Sequence, residues 1–409
     1  MRRDPLKEAL REAPIPSPAE AEERGRRIVE AAFAERPVRE GDHRQSRRPL
    51  PRLVLALGIA TLLAAALLSP AGATVRDWVD DVFTVSTPRP EPALGAIPGG
   101  GKLLVQSPNG PWVVQPDGSR RLLGDYEEAT WSPHGLFVAA VKGRTLSAVE
   151  PDGTPRWSIT ARREIGGPRW SPSGERIAFR AGFGLWVIAG DGTGKRLLAG
   201  SAAASPSYVA PSWSPTDDDA LAYVSGDRRL RILNSETGEQ LASAPALRRV
   251  TWMEWGADGK EILEGAPGAL RLRAVRTRKL WPHPALGSPR QLPVPAGATM
   301  VDTALAPERP VVAAVLTWWR DSGTRSAVVV YGPNGGKPRR LLTAPGSLGQ
   351  VAWSPDGRRL LVAWPPADQW LFLPIGRGPG RAVANISTAF SPGQRSASFP
   401  RLEGWCCRP

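Results

Sequence analysis

The longest apolar stretch of the chain lies near its N-terminus. Residues 53–68 read LVLALGIATLLAAALL, and the run without charge continues to residue 75. A helix of about 20 apolar residues crosses the hydrocarbon core of a bilayer. Arginines precede the run and acidic residues follow it, so the positive-inside rule places the N-terminus in the cytoplasm. The pattern predicts one transmembrane signal-anchor helix over residues 53–75, with residues 76–409 outside the membrane.

A cleaved signal peptide is the alternative interpretation of this run, since Ala71-Gly72-Ala73 is an acceptable cleavage site. The 52 residues before the run argue against it, because a whole signal peptide has about 15–30 residues. A buried core helix is a third interpretation, but the run has no polar face. Both leading interpretations place residues 76–409 outside the cytoplasm.

Beyond the apolar run, short alternating stretches recur with a regular spacing. Each begins near a Trp-Ser-Pro turn, with copies at 130–135, 169–174, 212–217 and 352–357 and degenerate copies at 254–259, 304–309 and 389–394. We take Trp131, Trp170, Trp213, Trp255, Leu305, Trp353 and Phe390 as the anchors of these units, and their spacings run from 37 to 50 residues. A period near 40–50 residues is typical of β-propeller blades with four short strands.

The order of residues inside each unit agrees with a blade. Two apolar strands follow the turn, as at 136–141 and 145–150, then a Gly-containing turn and a basic strand such as KRLL at 195–198. Asp-Gly and Asn-Gly pairs supply the positive φ angles of hairpins, and a recurring Trp would bury a large area between blades. We therefore assign structural roles in the repeat to Trp131, Trp170, Trp213, Trp255, Trp353, Pro133, Pro172, Pro215, Pro355, Asp356 and Gly357.

These turns resemble the WD-like β-propeller repeat of the TolB type, whose hallmark is W-S-P-D-G-x-x-L/I. Trp353-Ser354-Pro355-Asp356-Gly357 is a complete copy, whereas His134, Ser173 and Thr216 replace the aspartate elsewhere. The resemblance covers roughly residues 101–400. It implies a bacterial β-propeller, which the apolar run of residues 53–75 would anchor in the membrane, and it is uninformative about the ligand.

The first and last units are incomplete. The first begins at residue 102 without a preceding Trp turn, and the last has a turn at Phe390 with little after it. Joined in one composite blade, they would leave no free sheet edge. We predict an all-β fold with seven blades, or six if the Phe390 segment is only a tail.

Four regions follow from these patterns. Residues 1–52 form a charged, partly helical cytoplasmic segment, in which a capping box at Ser17–Glu20 begins a helix. This helix is either a docking site for a cytoplasmic partner or part of a solvated tail. Residues 53–75 are the membrane helix, 76–100 a Pro-rich linker, and 101–409 the exported propeller. Residues 275–295 are an insertion, which we interpret as a loop over one face.

Composition supports this organisation. The 43 Gly and 43 Pro among 409 residues exclude a helical bundle or coiled coil. The net charge of +14 comes mostly from Arg. The exported location argues against a nucleic-acid partner. Recurring RR and KR pairs would form either a positive ring for anionic polymers or lipid headgroups, or an ordinary solvated surface.

Candidate chemistry is sparse. There are three His and no G-x-S-x-G elbow, so we expect no catalytic residues. The Asp217–Asp219 run lacks the alternating carboxylates of a calcium loop, which favours a polar turn. The adjacent Cys406 and Cys407 exclude a disulfide framework and a zinc site built on Cys pairs; whether they bond to a partner stays open. We expect no cofactor and no metal.

The first hypothesis is therefore a non-enzymatic, single-pass binding or sensing protein. Its propeller would engage a protein or cell-envelope polymer, and residues 1–52 would relay to a cytoplasmic partner. The layout is similar to that of transmembrane anti-sigma factors, although their zinc motif is absent. A propeller hydrolase or lyase is the alternative: carboxylates, His and Arg converging at the channel would favour it, and an apolar channel would exclude it.

Overall fold

The alternating stretches of the sequence form strands. The computed structural model of the protein describes residues 90–91, 94–200, 209–278, 281–321, 323–333, 335–392 and 397–407. In chain order its first strands are β1 (Pro90–Glu91), β2 (Lys102–Ser107), β3 (Gly110–Val114), β4 (Arg120–Leu122), β5 (Glu128–Trp131), β6 (Val138–Lys142), β7 (Thr145–Val149), β8 (Pro155–Thr160), β9 (Ile165–Trp170), β10 (Arg176–Ala181), β11 (Gly184–Ala189), β12 (Arg196–Ala199), β13 (Ser212–Ser214), β14 (Asp217–Val224), β15 (Arg229–Asn234) and β16 (Gln240–Pro245).

The second half continues the series. Its strands are β17 (Trp252–Trp255), β18 (Glu261–Ala266), β19 (Ala269–Arg278), β20 (Trp281–Leu292), β21 (Thr299–Leu305), β22 (Val312–Arg320), β23 (Gly323–Tyr331), β24 (Arg339–Pro345), β25 (Val351–Trp353), β26 (Arg359–Trp364), β27 (Gln369–Pro374), β28 (Arg381–Ala384) and β29 (Arg401–Cys406). A 3₁₀ turn spans Pro365–Ala367, and one short helix, α1, spans Ile386–Phe390.

These strands make seven sheets, and each sheet is one blade of a β-propeller. Blade 1 has the order β29-β2-β3-β4. Blades 2 to 6 take four consecutive strands each, from β5–β8 to β21–β24, and blade 7 contains β25–β28 with β1 at its edge. Inner strands of neighbouring blades contact one another, and β29 of blade 1 contacts both β25 and β5. The predicted all-β propeller with seven four-stranded blades is confirmed.

The ring closes as predicted, in a composite blade, but a different segment closes it. Strand β29 pairs with β2 and places Trp405 opposite Leu103. The anchor of this blade is therefore Trp405, and the choice of Phe390 was wrong. Ile386 and Phe390 are four residues apart, so one face of α1 buries both of them. Phe390 packs against Trp370, with 5.2 Å between the ring centroids.

Residues assigned to the linker also join the propeller. Strand β1 pairs in parallel with β28, and Ile97 is 4% exposed in a cluster between blades 7 and 1. The 275–295 insertion is not a loop. It belongs to the long β19–β20 hairpin, whose alternating side chains continue the sheet of blade 5.

The predicted membrane helix lies outside the described residues, as does the whole of segment 1–52. Within the ranges that the structure covers, no helix has the length and apolar character that a bilayer crossing requires.

Candidate functional site

The inner strands of the blades surround a central channel. Each inner strand carries an anchor residue that faces the first apolar residue of the next strand, as Trp353 faces Leu360. The anchors are Trp131, Trp170, Trp213, Trp255, Leu305, Trp353 and Trp405. Trp170, Trp213, Trp255 and Trp353 are buried, and Trp131 is partly buried. The anchors therefore occupy corresponding positions in the seven blades.

Several anchors connect one blade to the preceding one. The indole N–H of Trp213 donates to the carbonyl oxygen of Arg169 at 2.9 Å, and that of Trp353 donates to Ala304 O at 2.9 Å. Both acceptors precede the anchor of the previous blade. In Trp131 and Trp170 the buried indole nitrogen has no protein partner. Both nitrogens are enclosed by protein atoms, so neither is accessible from the channel.

The turns after the anchors frame the channel. Pro172, Pro215 and Pro355 line its wall, whereas Pro133 is exposed. In the complete copy of the turn, Asp356 Oδ1 accepts the Ser354 hydroxyl at 2.5 Å and the Arg358 N–H at 3.0 Å. Gly357 has φ +65°, a conformation that favours glycine.

The channel is a cavity of about 800 Å³, within the usual size range of ligand pockets of roughly 300–1,000 Å³. Charged side chains of both signs line it, together with the tryptophans and prolines. They are Arg169, Glu254, Asp302, Arg401 and Glu403. The channel therefore presents donors and acceptors, not an apolar surface.

Two of these carboxylates belong to neighbouring blades. Glu254 is exposed to the channel, and desolvation by the enclosing wall raises its pKa to about 7, although the Leu305 N–H and the Arg169 charge oppose the rise. Burial likewise raises the pKa of Asp302 to about 6, against hydrogen bonds from the backbone N–H groups of Val351 and Thr303. The Val351 N–H donates to Asp302 Oδ2 at 2.9 Å. Desolvation in the channel therefore raises the pKa of both carboxyl groups toward neutral pH.

The carboxylates also support the ring, because each accepts a backbone N–H from the next blade. Glu128 does the same at the blade 2–blade 3 boundary, where the Gly167 N–H donates to it at 2.8 Å. Ser212 Oγ accepts the Trp255 N–H at 2.9 Å. These bonds satisfy edge N–H groups of inner strands, which would otherwise lack partners in the channel wall.

Arginines supply the positive charges of the channel wall. Arg169 donates to the Pro168 carbonyl oxygen at 2.8 Å and acts on Glu254 through its charge. Arg401 pairs with Glu403, with 2.5 Å between Nε and Oε1. The wall is therefore mixed, with guanidinium groups on blades 1 and 3 and carboxylates on blades 5, 6 and 1.

The recurring basic pairs at the rim have partners within the propeller. Arg196 donates to carbonyl oxygens of Ser235 and Glu236 in the next blade. Arg290 donates to Pro333 O at 3.2 Å, and Arg339 to Ile375 O at 2.6 Å. These three arginines join the outer strands β12, β20 and β24 to a turn of the following blade.

The other polar residues that the sequence analysis considered as possible ligands lie at separate places in the propeller. Asp219 pairs with Arg176 at 2.8 Å, and Asp218 accepts the Ser173 N–H at 3.2 Å, so the acidic run bridges blades 3 and 4. His134 is exposed in its turn. Among the described residues, no group of three or more His, Cys, Asp or Glu is arranged to hold a metal ion.

Glu254→Gln is expected to raise stability in a pH-dependent way. The folded state raises the pKa of Glu254 from 4.5 to about 7. The contribution of the protonated carboxyl to the free energy of unfolding is therefore complete below pH 4.5 and is lost as pH rises through 7. Glutamine keeps an acceptor and never ionises. We expect the variant to gain about 1 kcal/mol at pH 8, after a discount for solvent screening, and a much smaller amount at pH 5.

Urea unfolding at both pH values measures this effect. Glu164→Gln is the control, because Glu164 is exposed outside the channel. A Glu254→Gln effect of equal size at pH 5 and pH 8 would contradict the predicted titration.

Comparisons with known proteins support the fold and nothing finer. No family model matches the chain, and no curated protein matches it. The β-propeller domain of Myceliophteria thermophila Cps50 (Swd1) is similar in structure, with a TM-score of 0.51, 15% identity, and coverage of 68% of this chain and 94% of that domain. KlHsv2 with loop 6CD replaced by a Gly-Ser linker gives a TM-score of 0.49, 12% identity, and coverage of 70% and 94%.

The charged residues of the channel were not identified from the sequence. Four of the residues immediately before the anchors are Thr130, Arg169, Ser212 and Glu254, which range from hydroxyl to cationic to anionic side chains. The alternation of side chains along a strand was the usable signal, because the residue before a buried anchor points to the other face.

Proposed function

We propose that this chain is a non-enzymatic binding protein whose propeller holds a segment of a protein or polymer partner in its channel. The observation that carries the proposal is the mixed wall of an open cavity of about 800 Å³. An extended peptide presents N–H and C=O groups in alternation, so a wall with both donors and acceptors suits it. Arg169 supplies a donor, and Glu254 and Asp302 supply acceptors.

Photo-crosslinking tests this proposal directly. Val301 lines the channel and is 43% exposed, and Phe183 is 71% exposed in the β10–β11 turn, so a photoreactive residue fits at either position. We expect the probe at Val301 to capture one defined segment in intact cells. Arg169→Glu should reduce that capture about tenfold, which is the effect of about 1.4 kcal/mol of lost affinity.

The probe at Phe183 and the Arg163→Glu variant are the matched controls, since Arg163 is exposed. Equal capture at Val301 and Phe183, or capture at Val301 that Arg169→Glu leaves unchanged, would argue against a channel ligand.

We further propose a TolB-type, membrane-anchored arrangement, with residues 53–75 in the bilayer, the propeller outside and residues 1–52 in contact with a cytoplasmic partner. The uncharged run of residues 53–75, with arginines before it, supports this arrangement. Protease treatment of intact bacterial cells should digest the propeller and leave an N-terminal tag protected. A mature chain that begins near Thr74 would instead favour a secreted propeller and remove the relay.

A propeller hydrolase or lyase is the second candidate, and Glu254 and Asp302 favour it. General acids and bases work best with a pKa near the operating pH, and burial raises the pKa of both groups towards that range. If this candidate is right, Glu254→Gln and Asp302→Asn will each abolish turnover of a captured partner. If the partner leaves the wild-type channel unchanged, binding alone remains.

A further inference from the structure

The C-terminal cysteines form a disulfide with each other. Cys406 and Cys407 are bonded, and both are partly exposed. They are the only two cysteines of the sequence, so the bond cannot be exchanged for another within the same chain. Cys406 is the last residue of β29, the strand that closes the ring.

The disulfide is seated against two blades. A methyl group on Gly135, in the turn of blade 2, would overlap Cys407 Sγ. Cys406 Sγ lies 3.8 Å from the carbonyl oxygen of Ser132 in the same turn. Gly101, just before β2, faces the carbonyl oxygens of both cysteines. The turn of blade 2 and the start of blade 1 therefore form a socket around the bonded pair.

This socket surrounds the two sulfur atoms closely. Once the bond is broken, the two sulfur atoms repel each other at bonding distance and must separate. Cys407 Sγ occupies the space that the missing side chain of Gly135 leaves in blade 2, so a separated sulfur atom has to move away from this position. Cys407 has φ +69°, a conformation that non-glycine residues seldom adopt without support from their surroundings. Reduction therefore removes the support for the end of β29.

We propose that Cys406–Cys407 is a redox site at the ring closure, where a dithiol reductant opens the disulfide and releases the end of β29 from blade 2. One thiolate of the reductant attacks a sulfur atom, forms a mixed disulfide and expels the other sulfur as a thiolate. The second thiol of the reductant then displaces the remaining cysteine. Two electrons and two protons pass to Cys406 and Cys407, and the reductant leaves as a disulfide. This inference does not rest on the channel ligand.

Hydrogen exchange with and without dithiothreitol tests the proposal on the full chain. Reduction should raise the intact mass by about 2 Da, for two hydrogens. We expect exchange in residues 132–137 and 401–407 to accelerate at least about threefold, while the β10–β11 hairpin stays unchanged. The reduced chain should also bind one phenylarsine oxide, which bridges adjacent thiols.

The Cys406→Ser/Cys407→Ser variant separates the redox effect from other effects of the reductant. It should exchange rapidly at residues 401–407 in both conditions and should not respond to dithiothreitol. The proposal fails if the oxidised chain already alkylates at both cysteines. It also fails if reduction adds the two hydrogens and leaves exchange at residues 132–137 and 401–407 unchanged.

Discussion

Glu264→Gln should lower the free energy of unfolding by about 3–5 kcal/mol, because it breaks a buried ion cluster. Glu264 is fully buried in β18 and accepts from both Arg271 and Arg273, with Nη2–Oε2 at 2.8 Å and Nε–Oε1 at 3.2 Å. The Leu247 N–H donates to it at 2.7 Å. Without the carboxylate, two nearly buried guanidinium groups lose their counter-charge.

Chemical unfolding of Glu264→Gln beside Glu164→Gln, an exposed control, measures the loss. A triple variant identifies its cause. When Glu264, Arg271 and Arg273 are all replaced by methionine, no unpaired charge remains, and we expect much of the stability to return. A triple variant less stable than Glu264→Gln would mean that the cluster itself, and not the unpaired arginines, supplies the stability.

Trp405→Ala should cost about 3–5 kcal/mol, the usual loss for a large aromatic residue removed from a core. Trp405 is 9% exposed, its indole N–H donates to Gly100 O at 2.8 Å, and its ring meets Phe372 edge to face at 5.7 Å. The substitution weakens the contact of the closing strand with blade 7. The loss should therefore appear as earlier unfolding of the whole propeller, not only of blade 1.

Trp319→Ala is the matched control, because Trp319 is 62% exposed at the end of β22 and should change stability by less than about 0.5 kcal/mol. Thermal unfolding compares the two variants. If Trp405→Ala is as mild as Trp319→Ala, strand β29 does not carry the closure, and the proposed role of the disulfide beside it is weakened as well.

The blade architecture was predictable because its signals are local. A Trp-Ser-Pro turn followed by an apolar strand is encoded within about ten residues, and its period identifies the blades, although the sequence left seven or six of them open. The closing strand was not predictable in the same way. Trp405 has no Ser-Pro after it, so its role as an anchor appears only when β29 pairs with β2, about 300 residues earlier in the chain.

The charged sites could not be predicted from the sequence for a related reason. Repeats reveal positions that every blade needs for packing, whereas Arg169 and Glu254 occupy a position that faces the channel and varies between blades. The Glu264 cluster was missed because Arg271 and Arg273 alternate with leucines. Such alternation is typical of a solvent-facing side, yet here all three charges share a buried interior.

The composite blade has a consequence for how the chain is made. Strand β2 is among the first propeller strands to leave the ribosome, and its partner β29 is among the last. Throughout synthesis the edge of β2 offers unpaired backbone groups that invite misassembly with another chain. Any product that stops before residue 401 keeps this edge permanently open. We expect chaperones and proteases to recognise such fragments by the open edge of β2.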